Sequence, residues 1–182
     1  MKIIHLSNSD KSGGAAIAAY RIHKSLIKKE INSRMWVNSA ISGDWTVRGP
    51  KHKLSKGFAQ VKRHLVKPLL KSIKTENKIL HSPAILPSSW SKKLNKSNAD
   101  IVQLHWIGAE MASISDIGAI NKPVIWTLHD MWAFCGAEHY TYPPIYKNGE
   151  IISDTRYCQN YSKTSRSLDE KGFDLNRWTW ER

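Results

Sequence analysis

Four short apolar runs, each rich in β-branched or aromatic residues, recur along this 182-residue chain at residues 2–6, 34–38, 100–105 and 124–128. Runs of that length are too short for buried helices and read as strands. The stretches between them carry helical spacing. Ala15, Ala19, Ile22 and Leu26 fall on one face of a helix over residues 15–28, and residues 110–120 read as a shorter helix. Strand alternating with helix along the whole length predicts an α/β fold: a three-layer parallel sheet with helices on both faces. At this length a single well-buried domain is expected.

That architecture gives the strand ends their meaning, because parallel strands deliver all their carboxyl ends to one edge, where ligands bind in open α/β sheets. The first strand leads through a polar loop to Gly13-Gly14. Paired glycines let the backbone approach an anion while the N–H groups of the next helix point at it, or they simply turn the chain before a close-packed helix. Neither a dinucleotide fingerprint nor a Walker loop is present. The third strand delivers His105-Trp106, a pair suited to stacking on a sugar face, although His105 also fits a satisfied core histidine. The fourth delivers His129-Asp130. An imidazole there donates a hydrogen bond or takes a proton near neutral pH, or caps a neighbouring carbonyl. Asp130 orients that ring, holds an acceptor hydroxyl, or caps the following helix. These groups are expected to converge if the strands are neighbours.

Other readings of the same residues compete. Glu138 and His139 invite a metal site with His129, but the spacing fits no H-E-x-x-H or comparable ligand pattern. Cys135 is a candidate nucleophile with His129 or His139 as its base, yet nothing local marks a lowered thiol pKa. Cys135 and Cys158 lie far apart and read as two reduced thiols.

The formal charge of +13 favours polyanions: nucleic acid, anionic headgroups or phosphorylated substrates. Residues 51–78 concentrate it, meeting a single acid, Glu76, while Phe58, Val61, Leu65, Leu69 and Ile73 recur at helical spacing. Such a segment either lies on an anionic membrane surface or packs its stripe on the sheet, with Pro68 kinking it. No window reaches the roughly 20 apolar residues that span a bilayer, and the N-terminal apolar run is too short for a signal peptide. Residues 39–50, 81–90, 142–149 and 161–167 read as loop or irregular connection. Residues 177–182 resemble the start of another helix, so the native chain is expected to continue past Arg182.

Several blocks together resemble the N-terminal domain of family-4 retaining glycosyltransferases, in the branch that builds bacterial surface polysaccharides. They are Lys2-Ile-Ile-His-Leu with Ser12-Gly-Gly-Ala15, His81-Ser-Pro83, Asn98 to Trp106, Lys122 to Tyr140, and Arg177-Trp-Thr-Trp-Glu-Arg182. The resemblance implies a Rossmann-like domain, the N-terminal half of a two-domain GT-B enzyme. Gly13 and Gly14 would approach the donor phosphates, and His129, the catalytic candidate, would contact the transferred sugar near the reacting carbon. The acceptor, a glycan or lipid-linked glycan, would meet His105, Trp106, Asp130, Glu138 and His139. The nucleotide-sugar is then a co-substrate, with neither metal nor other cofactor implied. A peripheral position at the inner membrane face would suit residues 51–78. The nucleotide-sugar domain lies outside these 182 residues, so the chain alone is expected to be inactive. Where many relatives carry a Cys-rich segment after the His-Tyr pair, this chain has Tyr142-Pro-Pro-Ile-Tyr and a single Cys158.

Two readings from other classes stand beside this one. The charge suits a nucleic-acid-binding module, but no helix-turn-helix, zinc-finger or aromatic RNA-binding signature appears, so no nucleic-acid partner is expected. A non-catalytic remnant or partner subunit, completed by a separate chain, is the other.

Overall fold

The computed structural model describes residues 1–50, 57, 61, 62, 64–68, 80–134, 137–140, 145–148 and 150–153. In chain order the elements are β1 (Lys2–Ser9), α1 (Gly14–Lys28), β2 (Asn32–Ser39), β3 (Val47–Arg48), α2 (Trp90–Asn95), β4 (Ile101–Leu104), α3 (Ile114–Gly118), β5 (Val124–Trp126), a 3-10 turn (Trp132–Phe134), β6 (Ile145–Lys147) and β7 (Glu150–Ser153).

The first five strands form one sheet in the order β3-β2-β1-β4-β5, every pair parallel. The chain winds outward from β1 to β3, then returns to the other side of β1 for β4 and β5. The winding therefore reverses between β1 and β4. In doubly wound sheets the loops leave that point in opposite directions and open a crevice.

Alternation along β1 assigns its residues to two faces. Ile4 and Leu6 pair across to Val102 and Leu104, and with Leu94 of α2 and Ile114 and Ile117 of α3 they form the larger core. The opposite face carries Met35 and Val37, packed on Ala19 of α1. His5 shares the register of Met35 and Gln103 and so lies on the α1 side. Helices on both faces give the three layers that alternation of elements predicted.

Local chemistry sets the element ends. Gly13 begins α1 at φ 91°, a backbone conformation that L side chains rarely adopt. At the other end of α1, Glu30 N–H donates to the Ile27 carbonyl and Ile31 N–H to that of Leu26, with Glu30 at φ 59°. That is a Schellman closure in which a glutamate occupies the position glycine usually takes. Ser113 and Asp116 make a reciprocal capping box for α3.

Four expectations are corrected. Residues 39–50 contain β3, added parallel to β2 at the sheet edge. The irregular connection ends in α2, whose first helical residue is Trp90. The segment expected to loop through residues 142–149 holds β6 and, across Asn148, the start of a two-stranded antiparallel hairpin. Asn148 takes φ 54°, the left-handed conformation that the Asn148-Gly149 pair favours in tight hairpins. Finally, in the basic segment, Val61 and Leu65 are 49% and 61% exposed while Lys62 and Val66 are buried. At these positions the apolar stripe does not pack on the sheet. The Lys62 ammonium instead donates to the Leu86 and Pro87 carbonyls. Phe58, Leu69, Ile73, Cys135, Cys158 and the C-terminal tryptophans lie outside the described residues.

Candidate functional site

The strand ends flanking the winding reversal are tied together, with Asn8 N–H donating to the Trp106 carbonyl at 2.9 Å. Across them runs a row of three imidazoles. His5 Nδ1 lies 3.0 Å from His105 Nε2, and His105 Nδ1 lies 3.1 Å from His129 Nε2. Neighbouring rings are 5.3 Å apart at their centroids. The row starts inside the sheet, where His5 and His105 are buried, and ends at His129, which is half-buried.

Burial disfavours imidazolium throughout the row. It lowers His5 to about 3, helped by His105 and His23, and lowers His105 to about 4, helped by His129. It also lowers His129, against the opposing pull of the Asp130 carboxylate. Along the whole row burial therefore favours the neutral ring.

Behind His129 stands a second network. The Asp130 carboxylate accepts from His139 Nδ1 at 2.5 Å, from Trp106 Nε1 at 2.7 Å and from Trp132 N–H at 3.0 Å. Burial pushes the Asp130 carboxyl up, but these donors outweigh it and hold the group below its ordinary range. On the far side of the ring, His139 Nε2 is hydrogen-bonded to the Ser82 hydroxyl, 2.7 Å away. Ser82 Oγ in turn accepts Ala109 N–H at 2.8 Å, and Trp132 Nε1 donates to the Ser82 carbonyl. The wiring is that of an Asp-His-Ser triad. Ser82 and His139 are 1% and 0% exposed, however, so no substrate carbonyl reaches the hydroxyl. The network is a brace.

Gly108 makes room for the brace: a Cβ there would stand 2.6 Å from His139 Cε1. The adjoining Ala109 and Glu110 both adopt positive φ, 55° and 58°. Such strain persists only where the surroundings hold it. Here the Glu110 carboxylate clamps the Ala84 and Leu86 N–H groups.

At the β1 end, Ser9 Oγ accepts the Lys11 and Ser12 N–H groups, and the Asp10 carboxylate accepts those of Ile41 and Ser42. These bonds fix the loop that ends in Gly13-Gly14. No side chain caps α1, its first turn carries no acid, and among the described residues nothing stands within 4 Å of where a Cβ would lie on either glycine.

Gly13, Gly14, His105, Trp106, His129 and Asp130 thus sit along one edge of the sheet, as their strand-end positions predicted. Their duties differ. His105 is a buried link between two rings. Trp106 is held by Asp130 through its indole N–H, and Asp130 also opens the 3-10 turn in the manner of a helix cap. Glu138 and His139, expected to meet an acceptor, are buried at 2% and 0% exposure. Glu138 pairs with His81 across a backbone bridge and His139 braces Asp130. His129 is left as the half-buried ring at the edge. Room within the cleft lined by His105, Trp106, His129, Asp130 and His139 is about 10 Å³. That is the scale of one water, so a larger ligand has to sit over His129. Among the described residues no group of three or more His, Cys, Asp or Glu is placed to hold a metal ion.

Sequence reasoning passed over His5, His23, Ser82 and Gly108. A histidine inside an apolar strand was the available signal for His5, because a buried ring nitrogen needs a partner. Ser82 stands in the His81-Ser-Pro83 block, but nothing local marks that it or Gly108 would meet His139. A groove of about 810 Å³, walled by Trp36, Trp90 and Met111 and rimmed by Arg48, Lys93 and Lys96, also escaped notice. Gly13, Gly14, His105, Trp106, His129 and Asp130 do not line it.

Fold and site together define a doubly wound α/β domain with a row of histidines at its winding reversal. Comparison with family models, curated proteins and solved structures returns no match for the chain.

Proposed function

We propose that this domain is the acceptor-side half of a retaining glycosyltransferase of the two-domain GT-B type. The full enzyme would move a sugar from a nucleotide-sugar to a glycan or lipid-linked acceptor. One observation carries the reading: the half-buried His129 imidazole, whose Nδ1 has no partner among the described residues, and the uncrowded Gly13-Gly14 turn share the edge where the sheet reverses its winding. The imidazole suits a sugar oxygen, and the amides suit a phosphate. The sequence resemblance points the same way.

In this reading His129 contacts the sugar over the cleft, and Gly13-Gly14 approaches the donor diphosphate. Asp130 keeps the His129 loop in place through Trp106 and His139. Exposed Val61 and Leu65 among lysines support a peripheral position at the inner membrane face, where each cation near an anionic surface contributes about 1 kcal/mol. Replacing both with Ser should weaken binding to anionic vesicles, and unchanged binding would remove this part of the reading.

The deciding experiment is an NMR titration of the chain with UDP- and GDP-sugars and with short glycans. Shifts at Gly13, Gly14 and His129 are expected, with His129→Ala weakening binding tenfold or more at unchanged melting temperature. Shifts confined to other residues would reject the site. Most of the donor pocket belongs to the second domain, so the 182 residues alone should show negligible transfer, and turnover by them would reject the half-enzyme reading.

A further inference from the structure

The imidazole row has an asymmetry at its buried end. His5 Nε2 is enclosed and has no hydrogen-bond partner. The nearest ring beyond it, His23, meets His5 edge to face at 5.5 Å. Both His23 nitrogens are already taken, by Ser33 Oγ at 2.7 Å and Thr46 Oγ1 at 2.8 Å. At the opposite end, His129 Nδ1 also has no partner among the described residues and is not enclosed.

Neutral imidazole carries one N–H and one lone pair, so donor and acceptor must alternate along the row. Only two arrangements satisfy both contacts. In one, His129 Nε2–H donates to His105 Nδ1 and His105 Nε2–H donates to His5 Nδ1. The last proton then lies on His5 Nε2, a buried N–H without an acceptor. In the other, His5 Nδ1–H donates to His105 Nε2 and His105 Nδ1–H donates to His129 Nε2. What remains inside is a lone pair, and the His129 proton lies on Nδ1, at the open edge. Buried N–H groups without acceptors are the rarer defect in folded proteins, which favours the second arrangement.

We propose that His5 is a positioning residue: acting through His105, it fixes the tautomer of His129 so that Nδ1–H is presented to an oxygen acceptor on the ligand. His129 is then a hydrogen-bond donor to a hydroxyl, ether or phosphate oxygen. It cannot remove a proton at Nδ1 without shifting every proton in the row. The site therefore selects ligands that offer an oxygen lone pair above His129 and disfavours an ammonium or amide N–H there. This deepens the glycosyltransferase reading and rests on it only for the identity of the ligand.

The test is a long-range ¹H–¹⁵N spectrum of the histidine-labelled chain at pH 7.5, which reports which ring nitrogen carries the proton. The wild-type chain should show His129 protonated at Nδ1, and protonation at Nε2 would overturn the proposal without any variant. Two substitutions separate positioning from packing. His5→Asn places an amide N–H near the former Nδ1 and should keep His129 in the Nδ1–H form. His5→Leu supplies no donor and should release His129 to a mixture in which Nε2–H predominates. Identical His129 signals in the two folded variants would also overturn it. If His5→Leu fails to fold, the wild-type and His5→Asn spectra still decide. Binding of a short glycan, followed in parallel, should fall about tenfold for His5→Leu and hold for His5→Asn. A held tautomer with no binding of glycan or nucleotide-sugar would reject the glycosyltransferase reading and leave the relay standing.

Discussion

A histidine inside a parallel sheet is unfavourable unless its ring nitrogens find partners, and His5 satisfies one of its two through His105. The same accounting ranks substitutions around the site. Asp130→Ala removes the carboxylate that the buried His139 ring and the Trp106 indole N–H share and should destabilise the chain by about 1–3 kcal/mol, read as a lower urea midpoint. Gly108→Ala drives a methyl into the His139 ring and should cost about 1–3 kcal/mol. Gly14→Ala meets open space without a positive φ and should leave stability unchanged or raise it by up to about 1 kcal/mol. If Gly14→Ala nevertheless weakens nucleotide-sugar binding, the backbone approach assigned to that turn gains support. Unimpaired binding would argue that the glycines serve the turn alone.

At the scale of elements, β5 is an edge strand whose composition suits a buried one. Val124, Ile125 and Leu128 are 41%, 51% and 43% exposed, although the run reads like the centre of a parallel sheet. The physical reason is coverage: α1 packs on β1 and β2 and does not extend over β5. Leu128→Ala should therefore cost under about 1 kcal/mol, whereas Leu104→Ala, fully buried one strand inward, should cost about 2–5 kcal/mol by chemical denaturation. At the C-terminal end of α1, Glu30→Gly should stabilise by up to about 1 kcal/mol, because glycine occupies positive φ without steric cost.

For the whole molecule, the buried histidines set the pH response. His5, His23 and His105 have folded values of about 3, 4 and 4, all below the ordinary 6.5. The unfolded chain takes up their protons as pH falls below 6.5, while the folded chain does not. Their stabilising contribution is complete above that value and is lost from 6.5 down to about 4 for His23 and His105 and to about 3 for His5, at a slope approaching ~1.4 kcal/mol per pH unit for each ring. The urea midpoint should fall steeply over that window, and a flat profile would contradict the neutral row. Replacing His23 with Gln should make the fall shallower by about one proton.

The sequence by itself determined the alternation of strands and helices, and hence the parallel sheet and the edge at which Gly13, His105 and His129 emerge. Those features follow from periodicity and turn chemistry within a few residues of each position. Tertiary structure alone decided that β1 lies between β2 and β4, which brings His5 within hydrogen-bond reach of a residue 100 positions away. It also decided that Ser82, from a stretch that reads only as irregular, closes on His139, and that Glu138 and His139 face inward rather than toward a ligand. Such contacts depend on strand order and loop closure, and neither leaves a local mark on the chain.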